Sequence, residues 1–231
     1  MGKFWNWVKN EEGERSLYLD GYIAKDSWFN DDVTPKQFKE ELELSDGDIS
    51  VWLNSPGGDV FAANQIYNML KEHKGKVTVK IDGLAASAAS IISMAGDEIL
   101  ISPVGMIMVH NPAAMVFGEE SDFQSGIQML NEVKESIINA YEKKTGLGRA
   151  KLSNMMNAET WMNAKKAVEL GFADEILYED KASELPEAFM FDKMTVTNSF
   201  ISKFPKAKQQ EPVIETGTPY SQLIKRLDLL K

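Results

Sequence analysis

Three short motifs carry the residues of this chain best suited to chemistry, and they occur in a fixed order. The first is Asn54-Ser55-Pro56-Gly57-Gly58-Asp59, a strong turn signal in which glycine permits positive φ and close backbone approach to a ligand. It reads either as a plain tight turn or as a set of backbone N–H donors. The second is Gly83-Leu84-Ala85-Ala86-Ser87, followed by small residues. It places Ser87 at a helix start, where free N–H groups stabilise negative charge. Ser87 is then a helix cap or a nucleophile, because attack by a serine creates an oxyanion that such a site can hold. The third is Met108-Val109-His110-Asn111-Pro112, with His110 directly after an apolar strand. A neutral core histidine and a catalytic base both fit that position, since α/β proteins place reacting groups at strand ends. His73, in a charged helix end, reads as solvated. Together a glycine turn, a serine at a helix start and a histidine at a strand end make the parts of serine acyl transfer.

The elements that position these residues alternate. Ser16 to Ile23 reads as a strand pair or a bent strand, Thr34 to Leu44 as a helix with a first-turn proline, and Ile49 to Leu53 as a strand. An amphipathic helix follows from Asp59 to His73, with Val60, Ala63, Tyr67 and Leu70 on its apolar face and Gly75 at its end. Val77 to Ile81 is the next strand, Asp82-Gly83 the next turn, and Ala85 to Ala95 a buried helix of small residues. Glu98 to Ile101 and Met106 to Val109 are strands, the second buried on both faces as a continuous apolar run. Ser121 to Lys144 is the longest helix, with Phe123, Ile127, Leu130, Val133, Ile137 and Tyr141 as its stripe. Shorter helices span Arg149 to Met156 and Ala164 to Leu170. The strand–helix alternation predicts an α/β fold with right-handed crossovers.

Composition narrows the function classes. The 231 residues allow one main domain plus an appendage. A net charge of −10 disfavours nucleic acid as a partner. Absence of cysteine removes disulfides, thiolate nucleophiles and cysteine metal sites, and two histidines make a histidine metal site improbable. No apolar run is long enough to span a membrane, and Met1 to Asn10 lacks the pattern of a signal peptide. The expected organisation is a polar, irregular N-terminal segment over 1–15, a catalytic body over 16–180 and a C-terminal extension over 181–231. The extension has eight basic and six acidic residues, net +2, which leaves −12 on residues 1–180. Its end, with Tyr220, Leu223, Ile224, Leu227 and Leu230, forms a short amphipathic helix that docks on its own body or on a partner.

At the three motifs the chain resembles the Clp protease proteolytic subunit, ClpP, and most closely the ClpP-related head maturation proteases of tailed phages. The resemblance runs from about Leu17 to Leu177. Asn54 to Gly58 is similar to the family's oxyanion loop, Gly83 to Ser87 to its nucleophile motif, and Met108 to Pro112 to the motif that carries its base. Trp161 to Gly171 resembles the frame that follows the third triad member, which puts that role on Glu159. The housekeeping family has aspartate there, so the side chain is one methylene longer. Asp174 is the competing carboxylate.

The resemblance implies the ClpP/crotonase superfold, with repeated ββα units and a protruding handle helix over Ser121 to Lys144. It implies a serine endopeptidase in which Ser87 attacks, His110 is the base, Glu159 orients it, and the N–H groups of Gly58 and Ala88 hold the oxyanion, without metal or cofactor. It also implies a homo-oligomeric ring acting on protein or peptide substrates in the cytoplasm of a bacterial host, while charge and hydropathy argue against a nucleic-acid or membrane partner. A capsid maturation protease would act on capsid and scaffold proteins. A degradative subunit would be fed by an unfoldase ATPase. A non-catalytic structural protein with a relic site is the remaining alternative, and the aligned Ser87 and His110 argue against an acyl-CoA enzyme of the crotonase type, which has no such pair.

Overall fold

The computed structural model describes residues 4–9, 15–24, 35–44 and 46–178. Its fold is α/β. The chain order is β1 (Trp5–Lys9), β2 (Arg15–Ile23), α1 (Pro35–Leu42), β3 (Ile49–Gly58), α2 (Val60–Glu72), β4 (Val77–Ala86), α3 (Ala88–Ser93), β5 (Glu98–Ile101) and β6 (Met106–Val109), then α4 (Glu120–Thr145), α5 (Arg149–Asn157), β7 (Thr160–Asn163), α6 (Ala164–Glu169) and β8 (Glu175–Ile176). Among the described residues eight strands form one sheet, ordered β1-β2-β3-β4-β5-β8, with β6 joined to β4 and β7 joined to β6. From β2 to β8 the neighbours run parallel, while β1 and β7 are antiparallel to β2 and β6.

β4 is the branch point. Its first half, Thr78 to Ile81, pairs with β5, and its second half, Leu84 to Ala86, pairs with β6. The expected turn at Asp82-Gly83 is therefore absent, because the backbone stays extended to exchange partners. Gly83 serves proximity instead, since a Cβ there would come within 2.9 Å of the Asn54 side-chain oxygen. The expected tight turn at Pro56-Gly57-Gly58 is likewise the end of β3, registered against Tyr22 and Ile23 of β2. The small-residue helix is shorter than expected, because Ala85 and Ala86 belong to β4.

The inward faces of β3 and β4 bury Ile49, Val51, Leu53, Val77, Val79 and Ile81. α2 is capped by Asp59, whose carboxylate accepts from Ala62 N–H at 2.8 Å. It buries Ala62, Ala63, Ile66, Met69 and Leu70, so Val60 and Tyr67 lie at the margin of the apolar face rather than in it. His73, the C-cap of α2, is half-buried, with Nε2 2.8 Å from the Gly47 carbonyl, and is less solvated than its charged neighbours suggest. β6 alternates, with Ile107 and Val109 buried and Met106 and Met108 half-buried, so it is not covered on both faces. Met108 lines a cleft rather than a second packed layer.

The apolar stripe of α4 divides in two. Val133, Ile137, Ile138 and Tyr141 are buried, whereas Phe123 and Ile127 are 51% and 61% exposed. The first half of this 26-residue helix therefore stands clear of the core, as the handle reading expects. No described helix is long and apolar enough to cross a membrane. The expected terminal extension and its amphipathic helix lie outside the described residues, as does Thr34.

The N-terminal segment departs most from expectation. Trp5 to Lys9 is a strand paired with β2, and Trp5 is 3% exposed. Its ring meets Phe38 edge-on at 5.2 Å, and its indole N–H donates to Glu41 at 2.7 Å. Trp5 and Trp7 alternate with exposed Asn6 and Val8, a pattern too short to mark a strand by itself, and pairing with β2 together with burial of the Trp5 ring fixes it. Trp5→Ala is expected to destabilise the protein by about 3–5 kcal/mol. Equilibrium urea unfolding followed by near-UV circular dichroism measures this, and a change below about 1 kcal/mol would place β1 outside the cooperative unit.

Candidate active site

Each reacting side chain stands at the end of a strand. Ser87 lies between β4 and α3 with φ 54° and ψ −124°, a conformation uncommon for a residue with a Cβ. Its N–H donates to the Met108 carbonyl at 2.9 Å, which ties the turn to β6. Although Ser87 occupies the N-cap position, its side chain makes no capping hydrogen bond. Its Oγ lies instead 2.7 Å from Nε2 of His110. That contact is not the one a cap makes, because a capping hydroxyl turns to the N–H groups of its own helix.

His110 follows β6 and is half-buried. Burial lowers its pKa below 6.5, and the negative charge of Glu159 offsets part of that shift. Burial thus favours the neutral imidazole, and in the tautomer that carries its proton on Nδ1 the Nε2 atom accepts from the Ser87 hydroxyl.

Glu159 is placed by pairing that the sequence did not reveal. β7 runs antiparallel to β6 with Thr160 opposite Val109, so one step further the register brings Glu159 to His110. Glu159 has φ 48°, its N–H donates to the Met156 carbonyl at 3.2 Å, and Oε1 accepts from the Trp161 indole at 3.2 Å. Asn157 strengthens the approach, since its side-chain oxygen accepts from both Lys134 and Asn111. Asp174 has other partners. Its Oδ2 accepts from Ile99 N–H at 2.6 Å and from Lys144 at 2.9 Å, which secures the β5–β8 edge.

The glycine strand faces the serine turn. Gly57 has φ 97°, and a Cβ on it would lie 2.7 Å from the Ala86 carbonyl, 2.8 Å from Ser87 Cβ and 2.9 Å from Ala88 N. Gly58 has φ 148°, and its Cβ would fall 2.0 Å from the Ile23 carbonyl oxygen. Buried Ser55 holds this arrangement. Its hydroxyl donates to the Gly21 carbonyl at 2.6 Å and accepts from Gly57 N–H at 3.1 Å. Ser55 escaped the sequence reading because a serine beside a glycine pair reads as turn composition. Its position on the inward face of an alternating strand was the available signal.

Ser87, Ala88, His110 and Gly58 line one cleft of about 410 Å³, together with Ile91, Met108, Val133, Ile137 and Tyr141. Its walls are mostly apolar, so a substrate bound there is partly withdrawn from water, which strengthens polar contacts to the reacting atoms.

Residues 13–180 match the Clp protease family. The chain belongs to that family. The ATP-dependent Clp protease proteolytic subunit 1 of Chlamydia muridarum is 32% identical over 163 residues, covering 65% of this chain and 85% of the relative. The proteolytic subunit of Bacteroides fragilis is 30% identical over 154 residues, covering 64% and 74%. That of Porphyromonas gingivalis is 29% identical over 158 residues, covering 65% and 71%. Membership makes this Clp protease a serine-type endopeptidase, and sets aside the acyl-CoA reading of the fold.

The close approach at Gly57 yields a prediction. Gly57→Ala is expected to lower kcat/KM by about 10²-fold or more, comparable with loss of an oxyanion donor. Gly146→Ala is the control, because Gly146 also has positive φ (68°) but no neighbour within 4 Å of a Cβ. Peptide hydrolysis per folded molecule separates crowding of the serine turn from the general penalty of a left-handed alanine. Equal losses in both variants would remove the special role of Gly57.

Proposed function

We propose that Ser87, His110 and Glu159 form the catalytic triad, with Gly58 and Ala88 as oxyanion donors. The 2.7 Å contact between Ser87 Oγ and His110 Nε2 carries this reading. In the reaction Ser87 attacks the scissile carbonyl carbon while Nε2 of His110 takes its proton. The carbonyl oxygen becomes an oxyanion held by the two N–H groups. Collapse expels the amine, which receives the proton from His110 and leaves an acyl-serine ester. Water then attacks that ester with His110 again as base, releasing the acid and restoring Ser87. Glu159 keeps the imidazole in the required tautomer and favours the imidazolium that forms. The apolar residues Ile91, Met108, Val133 and Ile137 suit an apolar substrate side chain beside the cleaved bond. Incubation with a fluorophosphonate and peptide mapping tests the assignment. A single adduct on Ser87 is expected. A folded, unlabelled protein would make this a relic site.

For the biological role we propose prohead maturation: a homo-oligomeric ring trims capsid and scaffold proteins in the cytoplasm of a bacterial host. The support is the basic extension, 181–231, which follows the family-matched segment and contrasts with the acidic body. In this reading the extension tethers the protease to an assembling shell. A degradative role is the second reading, favoured by relatives that are ATP-dependent Clp proteolytic subunits. Co-expression with capsid and scaffold proteins, without any ATPase, distinguishes them. Defined trimming supports maturation. Cleavage that appears only when a Clp ATPase and ATP are added supports degradation.

A further inference from the structure

Beneath the nucleophile lies a buried polar relay that the reaction described above does not use. The Ser87 carbonyl accepts twice from Ser90, from its N–H at 3.0 Å and from its hydroxyl at 2.6 Å. Ser90 Oγ is also 2.7 Å from the Tyr141 hydroxyl. A serine hydroxyl has one hydrogen, and here it is committed to the Ser87 carbonyl, so the phenol is the donor in the second contact. Donation therefore runs from Tyr141 on α4 to Ser90 on α3 and on to the Ser87 carbonyl. Ser90 is 0% and Tyr141 1% exposed, and the Tyr141 ring is braced edge-on against Phe172 at 5.4 Å. Bonds in such a chain polarise one another, and burial makes each one harder to replace with water.

What the relay holds is a peptide plane. The carbonyl of Ser87 and the N–H of Ala88 belong to one planar trans unit, so they point in opposite directions. Gripping the carbonyl from inside the fold directs the Ala88 N–H outward, to the cleft lined by Ser87 and Ala88. The plane is set by ψ of Ser87, and the pair φ 54°, ψ −124° is sparsely populated for a residue with a Cβ, so surrounding contacts must hold it.

We infer that Ser90 and Tyr141 are positioning residues that aim the Ala88 N–H at the developing oxyanion, coupling α4 to the nucleophile turn. The inference rests on the assignment of Ser87 as nucleophile and Ala88 as donor. Ser90 lies outside the cleft lining, and although the Tyr141 ring borders the cleft, its hydroxyl is engaged by Ser90. Both act on an interaction that strengthens in the transition state, so their loss lowers kcat and leaves KM nearly unchanged.

The test compares wild type, Ser90→Ala, Tyr141→Phe and the double variant on a fluorogenic peptide with an apolar residue before the cleaved bond. Active sites are titrated with fluorophosphonate, and thermal midpoints are measured alongside. Loss of a whole oxyanion donor lowers kcat by about 10²–10³-fold, so misaiming one is expected to lower kcat per active site by about 10-fold in Ser90→Ala. Tyr141→Phe is expected to lose less, and the double variant to match Ser90→Ala, because the phenol acts only through the serine. The acid limb of the pH profile stays in place. A purely packing role lowers the thermal midpoint but not kcat per titrated site. Unchanged kcat in both single variants, or additive losses in the double, overturns the inference while leaving Ser87 as nucleophile. A wild type that is not labelled at Ser87 removes the nucleophile assignment, and the inference falls with it.

Discussion

Ser87→Ala is expected to lower kcat for peptide hydrolysis by about 10⁶-fold, with KM little changed and fluorophosphonate labelling abolished. The magnitude follows from how the site is divided. Removing Oγ deletes the covalent route and leaves His110 without its proton donor, so the base is lost in function along with the nucleophile. The backbone donors and the apolar cleft remain, and such a remnant still gives about 10³–10⁴-fold over water. Stability is expected to change little, because the hydroxyl makes no capping bond to α3 and Ser87 is not fully buried. The backbone conformation at φ 54° stays as unfavourable for alanine as for serine. Active-site titration and steady-state kinetics on the same preparation check this. Residual activity within about 10²-fold of wild type would move the nucleophile elsewhere.

The sequence disclosed the site's order better than its shape. Three motifs, each at the end of a strand, were legible because glycine, serine and histidine in that sequence have few shared structural reasons to occur. The turns assigned at Pro56-Gly57-Gly58 and Asp82-Gly83 failed for one reason. Glycine marks close approach as well as chain reversal, and here Gly57 makes room for Ser87 and Gly83 for Asn54. Local composition cannot separate the two, since the difference lies in which distant segment packs against the glycine. The same limit hid β7. Thr160 to Asn163 is a four-residue strand that exists through its antiparallel pairing with β6, and nothing in Thr-Trp-Met-Asn requires it. Long helices fared better. α4 has enough turns for its periodicity to show, although its exposed first half and buried second half read as one stripe. β1 was missed because two alternating tryptophans are too short a pattern to mark a strand without the partner β2.

The carboxylate assignment is where the family frame and the geometry must be tested together, and pH is the lever. With His110 as the proposed base, hydrolysis is expected to rise as it loses its proton, which puts the acid limb of kcat/KM at the pKa of this imidazole in the free enzyme. Burial sets that limb below pH 6.5, and Glu159 is the charge that raises it part of the way back. Removing the charge takes away the raising influence, so in Glu159→Gln the limb moves to lower pH. The variant is therefore active over a wider acid range and yet slower everywhere. The plateau is expected to fall by up to about 10⁴-fold, the loss seen when a triad carboxylate becomes an amide that favours the wrong imidazole tautomer. Glu159→Asp shortens the side chain by one methylene, keeps the charge and is expected to recover much of the plateau with a limb near that of wild type. Asp174→Asn gives the opposite pattern. Its carboxylate caps Ile99 N–H and pairs with Lys144, so its loss is expected to destabilise the β5–β8 edge by about 1 kcal/mol or more while kcat/KM and its pH limb stay as in wild type. Rates per titrated active site, followed from pH 4.5 to 8, separate these outcomes. A Glu159→Gln profile that superimposes on wild type while Asp174→Asn loses the plateau would transfer the triad role to Asp174. The β6–β7 register argues for the first pattern, because it brings Glu159 rather than Asp174 to the end of the strand that carries His110.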